Sequence, residues 1–291
     1  MDQLTGDEIA FESLTDVGRV REKNQDAVGS ALSSHGGLLL VVADGMGGHQ
    51  GGETASRIAI ESIVDTVKNS VGRPEETLRL AVEEANKRIY AQGQRDEALR
   101  GMGTTVVALF FQPDSSLWVA NVGDSRAYRM RSSTLQKLTS DHSLVAEMQR
   151  QGKLTEEEAF VHPKRNQLLR AVGIKEQVIV DISQEEVLLG DVYLLCSDGL
   201  HGLLRDAELL EILESESGEK VSDRLVHAAN ERGGTDNISA QVARIPGADS
   251  DASRMRQGVG SHGPTTHGRR IRAVILVAIL LAAGLTFWAN F

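Results

Sequence analysis

The sequence predicts a mixed α+β domain built around antiparallel strands. An apolar run of strand length, Gly37–Ala43, stands early in the chain. Helical spacing of apolar residues follows it, and the middle of the chain alternates short apolar segments with turn-rich segments. The chain of 291 residues is long enough to bury a sizeable core, and we expect residues 1–246 to form one domain.

Helices are predicted where apolar residues recur every three or four positions. Over roughly Glu53–Ser70 one face collects Ala55, Ile58, Ile63 and Val67. Pro74 suits the first turn of a second helix, whose apolar positions are Leu78, Val82, Ala85 and Ile89. Two more helices are expected near Asp206–Glu216 and Val221–Arg232.

Strands are predicted on both sides of a polar segment. Before it we expect Thr104–Phe111, Leu117–Val122, Arg126–Met130 and Leu135–Leu138. After it we expect Val178–Ile182, Val192–Cys196 and Ile238–Ile245. The polar segment, residues 141–173, holds a capping box at Thr155 and Glu158. We expect it to leave the core as a flap, and call it the flap below.

The C-terminal segment predicts a linker and a membrane anchor. Residues 247–268 are rich in Gly, Ser, Asp and His, which is typical of a flexible linker. Arg269, Arg270 and Arg272 then precede the uncharged run Ala273–Phe291, about 28 Å long as a helix. That length approaches the ~30 Å hydrocarbon core, so we expect 269–291 to be a single transmembrane helix with a basic flank. The arginines indicate a cytoplasmic domain at the cell membrane.

Charge and cysteine content restrict the function classes. The formal net charge is −10, and residues 247–291 hold five arginines against two aspartates, so residues 1–246 carry −13. Such an acidic domain does not suit binding to bare nucleic acid, because that affinity comes from lysines and arginines on the phosphates. A single cysteine, Cys196, excludes an internal disulfide and is expected in the core. The N-terminus lacks a basic and an apolar region, so we expect no cleaved signal peptide.

Four aspartates stand at turns beside apolar strands. They are Asp44, Asp124, Asp198 and Asp236. Carboxylates that converge from strand ends repel one another unless protons or cations intervene, and hard oxygen ligands suit Mg²⁺ or Mn²⁺. An isolated Asp-Gly is more often a simple turn, and spacing alone leaves both interpretations open. Likewise, Arg21 could bind phosphate through two hydrogen bonds or be an ordinary surface arginine.

Six motifs, taken together and in this order, resemble the bacterial type 2C metal-dependent protein serine/threonine phosphatases. They are RxxNQD at Arg21–Asp26, ADGMGGH at Ala43–His49, GMGTT at Gly101–Thr105, GDSR at Gly123–Arg126, SDGL at Ser197–Leu200 and TDN at Thr235–Asn237. The resemblance covers about residues 8–245. It implies two antiparallel sheets packed face to face between outer helices, a four-layer αββα fold.

The resemblance also implies roles for single residues. Asp44 would bridge two ions, Gly45 would offer its carbonyl, and Asp198 and Asp236 would complete the first site. Asp124 with Asp198 matches a third ion site, so two or three Mn²⁺ or Mg²⁺ ions are expected per domain. Arg21 matches the phosphate-binding arginine. Asn237 would orient the last ligand loop.

Two positions depart from the family pattern. Some relatives have a glutamate at the position of Gln25 that supports metal-bound waters, and a neutral amide would weaken the second ion unless Asp26 compensates. Eukaryotic relatives place a histidine, the expected general acid, where this chain has Met46. His49 is the neighbouring candidate for that role. The flap histidines His142 and His162 are expected at the surface.

The function expected is hydrolysis of phosphoserine and phosphothreonine by a hydroxide bridging two ions. The expected partners are phosphorylated proteins, among them a serine/threonine kinase and its substrates, with the membrane as tether and the enzyme monomeric. Two alternatives stay open: a metal-dependent hydrolase of another phosphoester, and a non-catalytic, membrane-tethered module that binds phosphoproteins.

Overall fold

Two antiparallel β-sheets, packed face to face, form the centre of the computed structural model, which describes residue 6 and residues 8–215 and 220–247. The first sheet has the order β1 (Ala10–Asp16), β11 (Ile238–Arg244), β10 (Val192–Cys196), β7 (Arg126–Arg131) and β8 (Thr134–Lys137). The second has the order β2 (Asp26–Leu32), β3 (Leu38–Met46), β5 (Val106–Phe111), β6 (Ser116–Val122) and β9 (Asp181–Glu186). The short β4 (Gly103–Thr104) pairs with the end of β3.

Helices cover the outer face of each sheet. Those on the second sheet are α1 (Gly48–Asn69) and α2 (Pro74–Arg95). Those on the first sheet are α5 (Asp198–His201), α6 (Asp206–Glu214) and α7 (Val221–Glu231). Two short helices, α3 (Leu144–Arg150) and α4 (Glu156–Phe160), belong to the flap. This is the αββα arrangement that the resemblance implies.

The continuous apolar run in β3 follows from burial on both of its faces. Alternate residues point to opposite sides of a strand. Leu39 and Val41 therefore pack under α1 and α2, whereas Leu40 and Val42 pack between the sheets. All four are fully buried, and burying each such side chain stabilises the fold by about 1.5–3 kcal/mol.

The four strands predicted before the flap are confirmed, but they are divided between the two sheets. β5 pairs with β6 and β7 with β8, whereas β6 and β7 lie in different sheets. The chain crosses from one sheet to the other at Gly123–Ser125. This crossing places Asp124 at the end of the sandwich.

Several boundaries differ from the prediction, each for a local reason. α1 begins at Gly48, five residues before the expected start, because glycines and polar residues hide its first turn in the sequence pattern. β9 begins three residues late, because Val178 and Val180 pack against the apolar cluster between the second sheet and its helices rather than pair with β6. The capping box of Thr155 and Glu158 is confirmed at the start of α4.

Strands β1 and β2 were missed by the sequence pattern. β2 is rich in small residues, and Gly29 shows why one of them is needed. A Cβ at Gly29 would lie 2.6 Å from Cγ2 of Ile60 in α1, so the helix packs against bare backbone there. Cys196 is buried in β10, as expected.

Across the described ranges, no helix is both long and apolar enough to cross a bilayer. The predicted linker, from residue 248 onward, and the predicted transmembrane helix at 269–291 lie outside those ranges.

Candidate metal centre

A cleft at one end of the sandwich brings the four predicted aspartates together. Its empty space is about 1540 Å³, the open mouth included. The second sheet supplies Asp44, within β3, and Asp124, just after β6. The first sheet supplies Asp198, just after β10, and Asp236, just before β11. Residues far apart in sequence therefore line one acidic cleft.

Burial and repulsion by neighbouring carboxylates raise the pKa values of Asp44, Asp124 and Asp198. Burial is the main cause at Asp44 and Asp124, whose pKa values lie well above the ordinary 3.8, and neighbouring carboxylates add to the shift. At Asp198, burial and then the charge of Asp236 raise the pKa to about 6, although a hydrogen bond with Asp44 lowers it. The cluster is thus stabilised by any group that brings positive charge into the cleft.

The donor set fits a hard divalent cation. Four carboxylates face one cleft and supply the oxygen ligands that Mg²⁺ and Mn²⁺ prefer. Within the described ranges, no three His, Cys, Asp or Glu side chains are gathered closely enough to hold an ion by themselves. Mg²⁺ commonly keeps several waters and takes only one or two carboxylates, so water ligands suit this open arrangement.

Two threonines of the GMGTT motif hold Asp44 in place. The backbone N–H of Asp44 donates to Oγ1 of Thr105 at 2.9 Å, and the carbonyl of Asp44 accepts from Oγ1 of Thr104 at 2.9 Å. The Thr105 hydroxyl also lies 2.7 Å from Oγ of Ser125, beside Asp124. The sequence pattern indicates no role for this motif, because the threonines reach Asp44 only through the pairing of β4 with the end of β3.

Gly45 lies where no side chain fits. A Cβ there would stand 2.1 Å from the carbonyl oxygen of Gly52 and 2.6 Å from that of Gln25. The N–H of Gly45 donates to this same Gln25 oxygen at 3.1 Å. The first turn of α1 and the Gln25 segment therefore close tightly around Gly45, next to Asp44.

A buried histidine supports the Asp124 turn from the side of the first sheet. Nε2 of His201 lies 2.9 Å from the carbonyl oxygen of Asp124, to which it donates. Burial lowers the pKa of His201 to about 3, so the ring is a neutral donor. This contact joins α5, which begins with Asp198, to the Asp124 turn.

Arg21 and Asn237 join the first and last motifs. Nη2 of Arg21 donates to Oδ2 of Asp236 at 2.8 Å. Oδ1 of Asn237 accepts from the N–H of Gln25 at 2.8 Å, and its Nδ2 donates to the carbonyls of Val17 and Lys23. The loop that carries Arg21 is thereby folded over the Asp236 loop at the wall of the cleft.

The remaining predicted residues lie around this centre. Nε2 of Gln25 donates to the carbonyl of Gly48 at 2.9 Å. Oδ2 of Asp26 accepts from the hydroxyls of Ser197 and Ser239, both at 2.7 Å, and Oδ1 of Asp26 has no partner within the described part of the chain. Burial raises the pKa of Asp26 to about 7. His49 lies in the first turn of α1, and its side chain is outside what the structure describes.

The expectation that His142 lies at the surface is wrong. The residue is 6% exposed, because its imidazole hydrogen-bonds to Gly123 and Asp181, which are distant in sequence. His162 stays near the surface, where Nδ1 accepts from the N–H of Lys164.

Comparisons with known proteins identify the family that this chain resembles. The family described as "Protein phosphatase 2C" matches residues 18–242. The chain is 40% identical to the serine/threonine phosphatase stp of Listeria welshimeri over 234 residues, which is 78% of this chain and 92% of the relative.

Solved structures of similar sequence have the same fold. The serine/threonine phosphatase PstP/Ppp of Mycobacterium tuberculosis superposes with a TM-score of 0.75 and 35% identity, over 82% of this chain and 99% of that one. The catalytic domain of PstP in complex with two manganese ions gives a TM-score of 0.73 and 34% identity, over 82% and 98%.

Proposed function

Since this chain belongs to the protein phosphatase 2C family, in its bacterial form, we propose that its acidic cleft binds two or three divalent ions and the phosphoryl group of the substrate. The chain is a metal-dependent protein serine/threonine phosphatase.

The convergence of Asp44, Asp124, Asp198 and Asp236 on one cleft, with Arg21 in its wall, supports this assignment. A surface turn would leave each aspartate exposed and separate from the others. Here neighbouring carboxylates help to raise the pKa values of Asp44, Asp124 and Asp198. We propose Asp44, Asp198 and Asp236 as ligands of the first ions, with the carbonyl of Gly45, and Asp124 with Asp198 for a third ion.

Each side chain has a task in hydrolysis of a phosphomonoester. Divalent ions, when bound, supply Lewis acidity that activates water and neutralises phosphoryl charge. The guanidinium of Arg21 can bind two phosphoryl oxygens through its planar pair of donors. Its side chain is 50% exposed at the mouth of the cleft, within reach of an entering phosphate group. Asn237 and Gln25 keep the Arg21 loop in register with Asp236.

Hydrolysis at phosphoserine or phosphothreonine reverses the product of a serine/threonine kinase, so we propose that this enzyme opposes such a kinase. We further propose that residues 1–246 act as a monomeric catalytic domain on the cytoplasmic side of the cell membrane. Residues 247–268 would be its linker and residues 269–291 its membrane anchor. The apolar run and its three flanking arginines support this arrangement.

The assignment is tested by assaying the purified full chain with a phosphothreonine peptide and with a phosphodiester. Each substrate is offered with Mn²⁺ and with a chelator. We expect turnover of the phosphopeptide only in the presence of the metal. Preference for the diester would make the chain a hydrolase of another class, and phosphopeptide binding without turnover would make it a binding module. Turnover unaffected by the chelator would refute the metal mechanism.

A further inference from the structure

Both ends of the flap are hydrogen-bonded to residues that adjoin proposed metal ligands. At its end, Val172 exchanges two backbone hydrogen bonds with Thr104, at 2.9 and 3.0 Å, and Thr104 holds the carbonyl of Asp44. At its start, the N–H of His142 donates to the carbonyl of Gly123 at 2.9 Å, directly before Asp124. The flap is therefore attached to the metal centre at two points.

His142 makes a second contact at the same turn through its side chain. The N–H of Gly123 donates to Nδ1 of His142 at 3.0 Å. Backbone and side chain of His142 thus satisfy both polar groups of Gly123. The carbonyl of His142 also accepts from the N–H of Leu169 at 2.8 Å, so one residue joins both arms of the flap to the turn that carries Asp124.

Asp181 fixes the orientation of the His142 ring. Because Nδ1 accepts a hydrogen bond from the N–H of Gly123, a neutral ring carries its own proton on Nε2. Nε2 lies 3.0 Å from Oδ2 of Asp181 and can donate to it. Arg170 donates to the other carboxylate oxygen of Asp181 and holds that carboxylate against the ring. Burial lowers the pKa of His142, in keeping with a neutral imidazole.

Gly123 is also tightly packed on the side that faces away from His142. Its φ is +110°, and a Cβ there would lie 2.6 Å from Cγ2 of Thr105. The turn is therefore enclosed between Thr105, which also holds Asp44, and His142. A displacement of His142 would be transmitted to the next residue, Asp124.

We propose that His142 is a positioning residue, held by Asp181, which fixes the Gly123 turn so that Asp124 can bind its ion, and which thereby couples the flap to metal binding. This inference rests on the proposed function, since it takes Asp124 to be a metal ligand. Outer groups that orient metal ligands in this way commonly change metal affinity 10- to 100-fold when removed.

The test compares three substitutions of His142 in the full chain. In H142N the amide oxygen lies near the position of Nδ1 and can still accept from Gly123. In H142Q the amide lies near the position of Nε2, and H142L fills space without an acceptor. H162L serves as the matched control, because His162 lies in the same flap without a contact to Gly123.

Two measurements are made on each variant. Hydrogen exchange of the Gly123 amide, followed by NMR without metal, reports the contact itself. Calorimetric titration with Mn²⁺ reports the ion sites. We expect H142L and H142Q to speed Gly123 exchange and to weaken the ion bound by Asp124 by about 10-fold. We expect H142N to restore both properties, and H162L to resemble the parent protein.

The inference is overturned if H142L leaves the Mn²⁺ isotherm unchanged, or if H142N and H142L are equally impaired. If H142L does not fold, D181A replaces it, because removal of the Nε2 acceptor frees the ring; an unchanged isotherm in D181A also overturns the inference. Parent protein that binds no Mn²⁺ would instead refute the proposed function, a result that the Gly123 exchange measurement keeps separate.

Discussion

Nη2 of Arg21 lies 2.8 Å from Oδ2 of Asp236, although 215 positions separate them in the sequence. The contact holds the guanidinium in the wall of the acidic cleft rather than in free solvent. It also joins the loop before β2 to the loop before β11, so the proposed phosphate-binding residue and a proposed metal ligand share one local structure.

Replacement of Arg21 should lower catalytic efficiency much more than it lowers the stability of the fold. We expect R21A to lower kcat/KM for a phosphothreonine peptide by about 100-fold, because one charged donor to the phosphoryl group is lost. The kcat/KM of R21K should lie between those of R21A and the parent protein, because an ammonium keeps the charge but cannot make the two-pronged contact. Unfolding free energy should change by less than about 1 kcal/mol, since the ion pair is half-exposed. Steady-state kinetics measures these effects, with R19A as the control. Equal loss of activity in R21A and R19A would contradict the role proposed for Arg21.

Asp44→Asn should abolish activity and yet stabilise the protein in a chelator. The amide cannot bind two dications as a carboxylate does, and it removes one charge from a buried, mutually repelling set. Thermal melts at pH 8 in a chelator should give a higher Tm, by about 2–4 °C for each kcal/mol gained. D65N, on the exposed face of α1, is the control and should leave Tm and activity unchanged. Surviving activity in D44N would remove Asp44 from the proposed ligands.

The stability of the metal-free protein should fall as pH rises from 6.5 to 8. The pKa of Asp26 is raised to about 7 and that of Asp44 well above the ordinary 3.8. In this window the unfolded carboxyls are ionised while folded ones still bind protons, so raising the pH favours unfolding. Below pH 6.5 the lowered pKa of His201 acts in the opposite direction, because the unfolded histidine then takes up protons.

This pH dependence can be checked by chemical denaturation in a chelator at pH 6.5, 7.25 and 8. Asp26→Asn should reduce the slope, and saturating Mn²⁺ should abolish or invert it, since cations favour the ionised carboxylates. A metal-free stability that stayed level or rose across the window would contradict the assigned shifts.

The C-terminal run should carry the protein into bilayers. In liposome flotation we expect the full chain to float with lipid and a fragment ending at residue 247 to stay at the bottom. Leu280→Lys with Leu281→Lys should weaken insertion, because each charge at mid-bilayer costs about 2.5–3.5 kcal/mol. Equal flotation of the full chain and the fragment would exclude the anchor.

The sequence predicted the aspartates better than the groups around them. Asp44 and Asp198 follow apolar runs and precede a glycine, so local pattern marks both as strand-end carboxylates. No local pattern marks the burial of His142, because its partners Gly123 and Asp181 come from other segments. Strand β2 escaped prediction for a related reason: Gly29 is explained by the approach of Ile60, which only the packing of α1 reveals.

The proposed carboxylate ligands are divided evenly between the two sheets: the second sheet supplies Asp44 and Asp124, and the first supplies Asp198 and Asp236. An ion shared between Asp44 and Asp198 would therefore staple the layers of the sandwich together, as a cross-link does, at the end where the apolar core gives way to solvent. Withdrawing the ions would loosen the architecture as well as stop the chemistry. Resistance to proteolysis would then track the supply of metal in the cell.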